Sequence, residues 1–222
     1  NLEQKQLSLI RHLKIAGEKL FELKIHHDLS PIGWHIIHCL YVECIWIRSQ
    51  FLDDNKLVNK LKDIADGINI KPKNRGLNLP NYECLYKLTR REFKKNLIFI
   101  QNIKEKKKVG YFIKFLINHH SQHLETIKIV LNFINLKFNK ATENCFSTVE
   151  PKLFKFNPIN IKEGIFKIGS KNNNFSYDNE KPLNSIKLES FEIDKKPIHI
   201  NEWLGFIKEG GYKNTFFYIY RV

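Results

Sequence analysis

Methionine is missing from all 222 residues, position 1 included, and the chain opens on Asn1-Leu2-Glu3 inside a helical pattern. The natural start is therefore expected upstream. Cysteine is sparse: Cys39, Cys44, Cys84 and Cys145 show no C-x-x-C spacing, so they read as reduced thiols of a cytoplasmic protein rather than a disulfide framework. No apolar run reaches the ~20 residues needed to span a bilayer and no signal peptide is visible, so no membrane partner is expected. Acidic residues are in the minority, 23 against 37 Lys and Arg, which leaves a formal charge of +14. Such an excess invites a nucleic-acid hypothesis. The lysines, however, are spread through every segment among Asn, Ile and Phe, without the arginines and interleaved exposed aromatics of a dedicated binding face. No nucleic acid is expected.

What is present suffices for a globular core, since 42% of the residues are hydrophobic. Apolar periodicity predicts helices over 3–24, 31–51, 56–65, 81–103 and 109–136, with Ser30 as N-cap and Pro31 in the first helical position of the second. These helices make a bundle interrupted by one excursion, Asp66 to Pro80, whose run Lys71-Pro72-Lys73-Asn74-Arg75-Gly76-Leu77-Asn78-Leu79-Pro80 is too polar and proline-rich to continue a helix. A loop of that length in a compact domain tends to be functional. Beyond Thr142 the character changes to short runs that read as strands, namely Gly164 to Gly169, Ser185 to Leu188 and Phe191 to Ile193, followed by a helix end near Phe206 to Tyr212. The expected fold class is α+β: a helical bundle over 1–142, a linker over 143–157 and a small mixed module over 158–222. That module is short enough to be marginal on its own.

Three histidines carry the chemistry. His119 and His123 stand four apart and so share one helix face, on the inward stripe Phe112, Leu116, His119, His123, Ile127, Val130, Ile134. His38 shares a second inward stripe with Trp34, Tyr41 and Ile45. A lone core histidine is more often hydrogen-bonded to a neighbour than bound to metal, but three on inward stripes are harder to satisfy separately, and a shared ion satisfies all of them. Imidazole suits Zn, Fe, Cu and Ni alike. Three protein ligands leave open positions, as in a catalytic rather than a closed structural site. Glu125 lies two residues from His123, hence on another face, and is expected to orient an imidazole from outside. Cys39, about 100° round the helix from His38, is a weak ligand candidate.

These residues also carry a resemblance. Asp28-Leu29-Ser30-Pro31-Ile32-Gly33-Trp34-His35-Ile36-Ile37-His38, followed by His119-x3-His123-x-Glu125, resembles the DinB-like domain of the EgtB family, the sulfoxide synthases of ergothioneine biosynthesis. Gly164-Ile165-Phe166-Lys167-Ile168-Gly169, Phe175 to Pro182 and Gly210-Gly211-Tyr212 resemble the start of the formylglycine-generating-enzyme-like, or sulfatase-modifying-factor, domain that follows there, a C-type-lectin-like α+β fold. The resemblance implies a non-haem Fe(II) enzyme that uses O2 to join a thiol to the imidazole of hercynine. It places the iron ligands on His38, His119 and His123, and His35 and Glu125 outside them. Gln122 matches a glutamine that helps hold the histidine-derived substrate, and Arg75 an arginine that binds the thiol's carboxylate. It puts the proton-donating tyrosine beyond Val222, so that no catalytic residue is expected here and the segment alone is expected to be inactive. The chain departs from the family at Pro72, where many members have a second arginine, with only Lys71 and Lys73 nearby, and at Ile198-His199-Ile200-Asn201. Two alternatives stay open: a selenoneine-synthase-like or OvoA-like relative with another sulfur or selenium donor, and a non-catalytic DinB-like metal-binding module or decayed gene.

Overall fold

The computed structural model describes residues 1–138, 158–171 and 176–214. They form an α+β protein of two compact units, the first made of the helical part together with 176–181, the second of 158–171 and 182–214. The expected linker, Cys145 and the last eight residues lie outside the described residues. Segment 176–181 groups with the helices rather than with the strands around it, because Lys181 lies over the Tyr111 ring and the Tyr177 hydroxyl donates to the Asn118 carbonyl at 3.4 Å.

Helix α1 (Leu2–Leu20) turns Leu9, Leu13 and Ala16 into the core. It kinks at Gly17, whose φ of 62° is open to glycine and strained for other residues, so the helix expected to reach residue 24 is broken there. Helix α2 (Ile32–Glu43) begins one residue later than expected. Pro31, extended at φ −61° and ψ 154°, is itself the N-cap, and no side chain caps it. The start is held instead by the Gly33 N–H, which donates to the Phe21 carbonyl at 2.7 Å.

Every residue of α2 except Val42 is buried, because α1, α4 (Lys56–Ala65), α5 (Tyr82–Asn102) and α6 (Lys106–Phe138) all pack on it. A helix surrounded in this way has no solvent face to keep polar. It continues as a π-helical stretch, Cys44–Ser49, and a last turn α3 (Gln50–Leu52), which Asp53 ends in the left-handed region at φ 50°. Four long helices, α1, α2, α5 and α6, thus make the bundle. Leu116, Ile127, Val130 and Ile134 of the α6 stripe are buried, and Phe112, His119 and His123 are partly so.

The excursion after α4 folds on its own hydrogen bonds. Asp66 Oδ1 accepts from the Ile68 and Asn69 N–H groups at 2.8 and 3.2 Å, and a 3-10 turn follows at Pro72–Asn74. Among the described residues no helix is long and apolar enough to cross a membrane.

In the second unit β1 (Pro158–Ile161) pairs antiparallel with β4 (Phe191–Asp194), and β2 (Gly164–Ile168) with β3 (Asn184–Leu188), giving two two-stranded sheets, followed by α7 (Ile200–Lys208). The altered stretch at Ile198 to Asn201 has a structural role here: His199 is the N-cap of α7 and donates its N–H to Glu202 Oε2 at 2.7 Å. Among the described residues of this unit only Gly211 is buried. Ile159 and Ile193 face each other across the sheet and both remain exposed.

Candidate metal centre

Helices α2 and α6 bring His38, His119 and His123 together, with one nitrogen from each lying within 4.8 Å of the others. His38 and His119 meet through their Nε2 atoms at 3.3 Å. Two nitrogens bound ~2.0–2.1 Å from one ion and adjacent on it stand about 3–3.4 Å apart, so this separation would admit a shared ion as well as a hydrogen bond between the rings. The outer nitrogens are engaged elsewhere. His38 Nδ1 lies 2.7 Å from the Ala65 carbonyl, to which it must donate, leaving its Nε2 with a lone pair. His123 Nδ1 lies 2.8 Å from His35 Nδ1, and His119 Nδ1 lies 3.3 Å from His120 Nδ1. Second partners of this kind hold metal-ligating imidazoles in one tautomer and one orientation.

Packing fixes the rings further. Trp34 stacks on His38 with centroids 4.7 Å apart and planes 10° apart, and the Arg75 guanidinium lies over the Trp34 ring at 4.5 Å. Arg75 also donates to the Gly67 carbonyl at 2.6 Å and the Ile70 carbonyl at 3.2 Å, which fastens the excursion beside the histidines. Gly67 itself abuts His38: a Cβ there would sit 2.8 Å from His38 Cε1. The ring cannot yield without losing its bond to Ala65. Gly67→Ala is therefore expected to weaken Co(II) binding by about tenfold or more, the scale of losing a partner that orients a ligand ring, with little change in melting temperature. Unchanged affinity by chelator competition would show that the ring has room to move.

Burial keeps these imidazoles neutral. His35 is pushed down to about 3, by desolvation first and then by the His38 and Arg75 charges. His38 is lowered as well, chiefly by burial, and His119 and His123 are lowered strongly by burial and by the neighbouring imidazoles. The unfolded chain takes up these protons near pH ~6.5 and the folded one only far below it, so stability is complete above that value and is lost as pH falls towards 3. The melting temperature of the metal-free protein should therefore fall on acidification from about pH 7 to 5. A flat profile over that range would mean the rings are not buried as neutral species.

The remaining expected residues are placed unevenly. His35 joins the cluster through His123, and Arg75 comes within reach through Trp34. Gln122 is exposed on α6, where its carbonyl accepts from the Thr126 hydroxyl at 3.1 Å. Glu125 is exposed too, on a face shared with Ser121 and Lys128, and among the described residues it bonds no imidazole, in keeping with its angular offset from His123. The carboxylate that does reach the cluster is Glu43, 2.8 Å from His120 Nε2, with both side chains fully buried. Its sequence signal is a single acid inside the apolar run Ile32 to Ile47. Cys39 also comes near His119 and His120, but burial first, and then Glu43, push its thiol well up, so it offers a thiol rather than a thiolate. A third grouping, His26, His27 and Asp28, lies largely on the surface.

The chain is similar to a hercynine oxygenase. Over 218 residues it is 24% identical to the hercynine oxygenase of Mycolicibacterium smegmatis, an alignment that covers 93% of this chain and 50% of that protein. The chain thus spans about half the length of the curated relative it matches. No family model matches it.

Proposed function

We propose that the chain is the metal-binding part of a non-haem Fe(II)-dependent, O2-using sulfoxide synthase that joins a thiol to the imidazole of hercynine, with a DinB-like bundle ahead of a formylglycine-generating-enzyme-like module. The observation that carries the reading is the convergence of His38, His119 and His123 with every outer nitrogen engaged. The similarity to a hercynine oxygenase supports it.

The donor set fits the ion. Three neutral imidazoles on two helices suit Fe(II) and leave its other positions open to reactants. When bound there, Fe(II) supplies O2 chemistry and lowers the pKa of a thiol held beside it. The protein's part is to orient. Ala65, His35 and His120 hold the ligand rings, Trp34 and Gly67 fix the plane of His38, and Arg75 places a guanidinium beside the cluster, where it can attract a substrate carboxylate. Among the described residues Trp34 Nε1 is buried with no hydrogen-bond partner, leaving a polar group that a bound polar molecule could satisfy.

A second reading, a relative with another sulfur or selenium donor, is favoured by the turn before Arg75. Pro72 contributes no side-chain cation there, and its carbonyl accepts from Lys24 Nζ at 2.7 Å. The test of both is to incubate the complete protein, loaded anaerobically with Fe(II), with hercynine, O2 and a panel of thiols and selenosugars. Sulfoxide formed from one thiol supports the first reading, and a selenium product the second. A protein that holds Fe(II) yet consumes no hercynine with any donor overturns both.

A further inference from the structure

The chain turns sharply where α4 ends, and one side chain holds the turn together. Asp66 donates its N–H to the Lys62 carbonyl at 3.2 Å, and its own carbonyl accepts from the Ile70 N–H at 3.1 Å. Its carboxylate takes three further bonds. Oδ1 accepts from the Ile68 and Asn69 N–H groups at 2.8 and 3.2 Å, and Oδ2 accepts from Asn69 Nδ2 at 2.7 Å. An aspartate bonded to the backbone two and three residues ahead fixes the direction of the chain that leaves it. Tyr41, about one turn beyond His38 on α2, bonds to the same carboxylate and ties the turn to that helix.

The residues on either side of Asp66 are the ones that touch the site. Before it, the Ala65 carbonyl accepts from His38 Nδ1 at 2.7 Å. After it, Gly67 abuts the His38 ring, and the Gly67 carbonyl accepts from Arg75 Nη2 at 2.6 Å. That carbonyl and the Ile68 N–H belong to one planar peptide, in which the two groups point opposite ways. Holding the N–H on Oδ1 therefore aims the carbonyl at Arg75. Arg75 Nε donates in turn to the carbonyl of Ile70, the residue whose N–H the Asp66 carbonyl holds.

From this we infer that Asp66 is a positioning residue, whose carboxylate fixes the backbone that orients His38 on one side and Arg75 on the other. One acid thereby sets the metal ligand and the cation beside it together. The inference rests on the proposed metal centre for its purpose, whereas the bonds to Arg75 are made without any ion.

Placement and purpose can be tested separately. In metal-free protein labelled with 15N-arginine, hydrogen exchange at the Arg75 Nε–H reports whether the guanidinium is held, and its signal is identified by its loss in Arg75→Lys. Asp66→Ala should speed that exchange about tenfold or more. Asp66→Asn, whose amide oxygen still accepts from Ile68 and Asn69, should stay close to wild type. A carboxylate that only capped its own turn would lower the melting temperature and leave the exchange unchanged, and that result with Asp66→Ala overturns the inference. Equal losses in Asp66→Asn would assign the effect to charge rather than to these bonds and also overturn it. Where Asp66→Ala does not fold by circular dichroism, Asp66→Ser takes its place under the same criteria.

For the metal, the dissociation constant of Co(II) by chelator competition should rise about tenfold in Asp66→Ala and stay within about threefold of wild type in Asp66→Asn. Unchanged affinity in Asp66→Ala would put His38 beyond its reach and overturn the joint assignment. A wild type that binds no Co(II) would overturn the metal reading alone, leaving the Arg75 exchange to decide the placement.

Discussion

His38→Ala, loaded anaerobically with Fe(II) beside the wild type, should retain less than about a tenth of the wild-type iron, since the loss of a direct ligand exceeds the 10–100-fold penalty for removing an outer partner. His119→Ala and His123→Ala should behave alike. The three are not equivalent in origin. His119 and His123 are one turn apart on α6 and stay paired whatever happens elsewhere, whereas His38 comes from α2 and closes the set from the other side. Its loss leaves two imidazoles on one helix, a surface-like chelate. His35→Ala removes only the partner of His123 Nδ1 and should weaken binding by about 10–100-fold without abolishing it. Arg75→Ala should leave iron content unchanged, because its guanidinium contacts Trp34 and backbone carbonyls rather than a ligand nitrogen. Iron content measured on folded, desalted protein checks all of these, and equal iron in His38→Ala and wild type would remove His38 from the ligand set.

The largest effect on stability is expected where Arg48 meets Glu92 inside the bundle. Arg48 Nη2 donates to Glu92 Oε2 at 2.8 Å with 5% and 4% of the two side chains exposed, and the same guanidinium holds Asn96 and the Glu92 carbonyl. Arg48→Met keeps the volume but leaves a buried carboxylate short of its principal partner, and breaking such pairs costs about 3–5 kcal/mol. Arg91 and Lys95 also reach Glu92, at 2.6 and 3.2 Å, but they are 64% and 49% exposed and so too well solvated to compensate. Burial by itself would raise the Glu92 carboxyl, yet the bonds from Arg48, Arg91 and Lys95 hold it below its ordinary value. This stabilisation is therefore present above the unfolded value and is lost as pH falls through the folded one. Urea unfolding near neutral pH should show the loss in Arg48→Met and recovery of most of it in Arg48→Met/Glu92→Leu, where neither charge remains. A single-variant cost below about 1 kcal/mol would mean that water reaches Glu92.

The histidine triad was legible because it follows helical spacing: a four-residue interval and two apolar stripes place the rings without knowledge of the tertiary fold. The excursion and its arginine were legible as a polar, proline-rich break between strong helices. What escaped was everything joined across long separations. Glu43 meets Gln6, Asn96 and His120 at intervals of 37, 53 and 77 residues, and no local period encodes such pairings. The helix ends were misjudged where tertiary bonds decided them. Ser30 is a good cap by type, but the Gly33 N–H had already found Phe21, and the expected first helix ran through a glycine whose backbone turns left. Glu125, close in sequence to His123, is exposed, while the carboxylate that meets His120 sits on another helix.

The π-helical stretch has a consequence for how the helix is wound. Glu43 and Arg48 are five residues apart, which at 100° per residue would leave them about 140° apart round an α-helix, one facing α6 and the other turned away from it. Winding with i→i+5 bonds, seen where the Gln50 N–H donates to the Ile45 carbonyl, spreads the turn over more residues and brings positions five apart closer to one side. A single asparagine on α5 can then hold an acid with its nitrogen and a base with its oxygen. Deleting one residue between Glu43 and Arg48 would return the stretch to regular winding with the acid and the base four apart, about 40° round an α-helix, so both should still reach the asparagine. The wider turn thus absorbs one extra residue without moving opposite charges off their shared side.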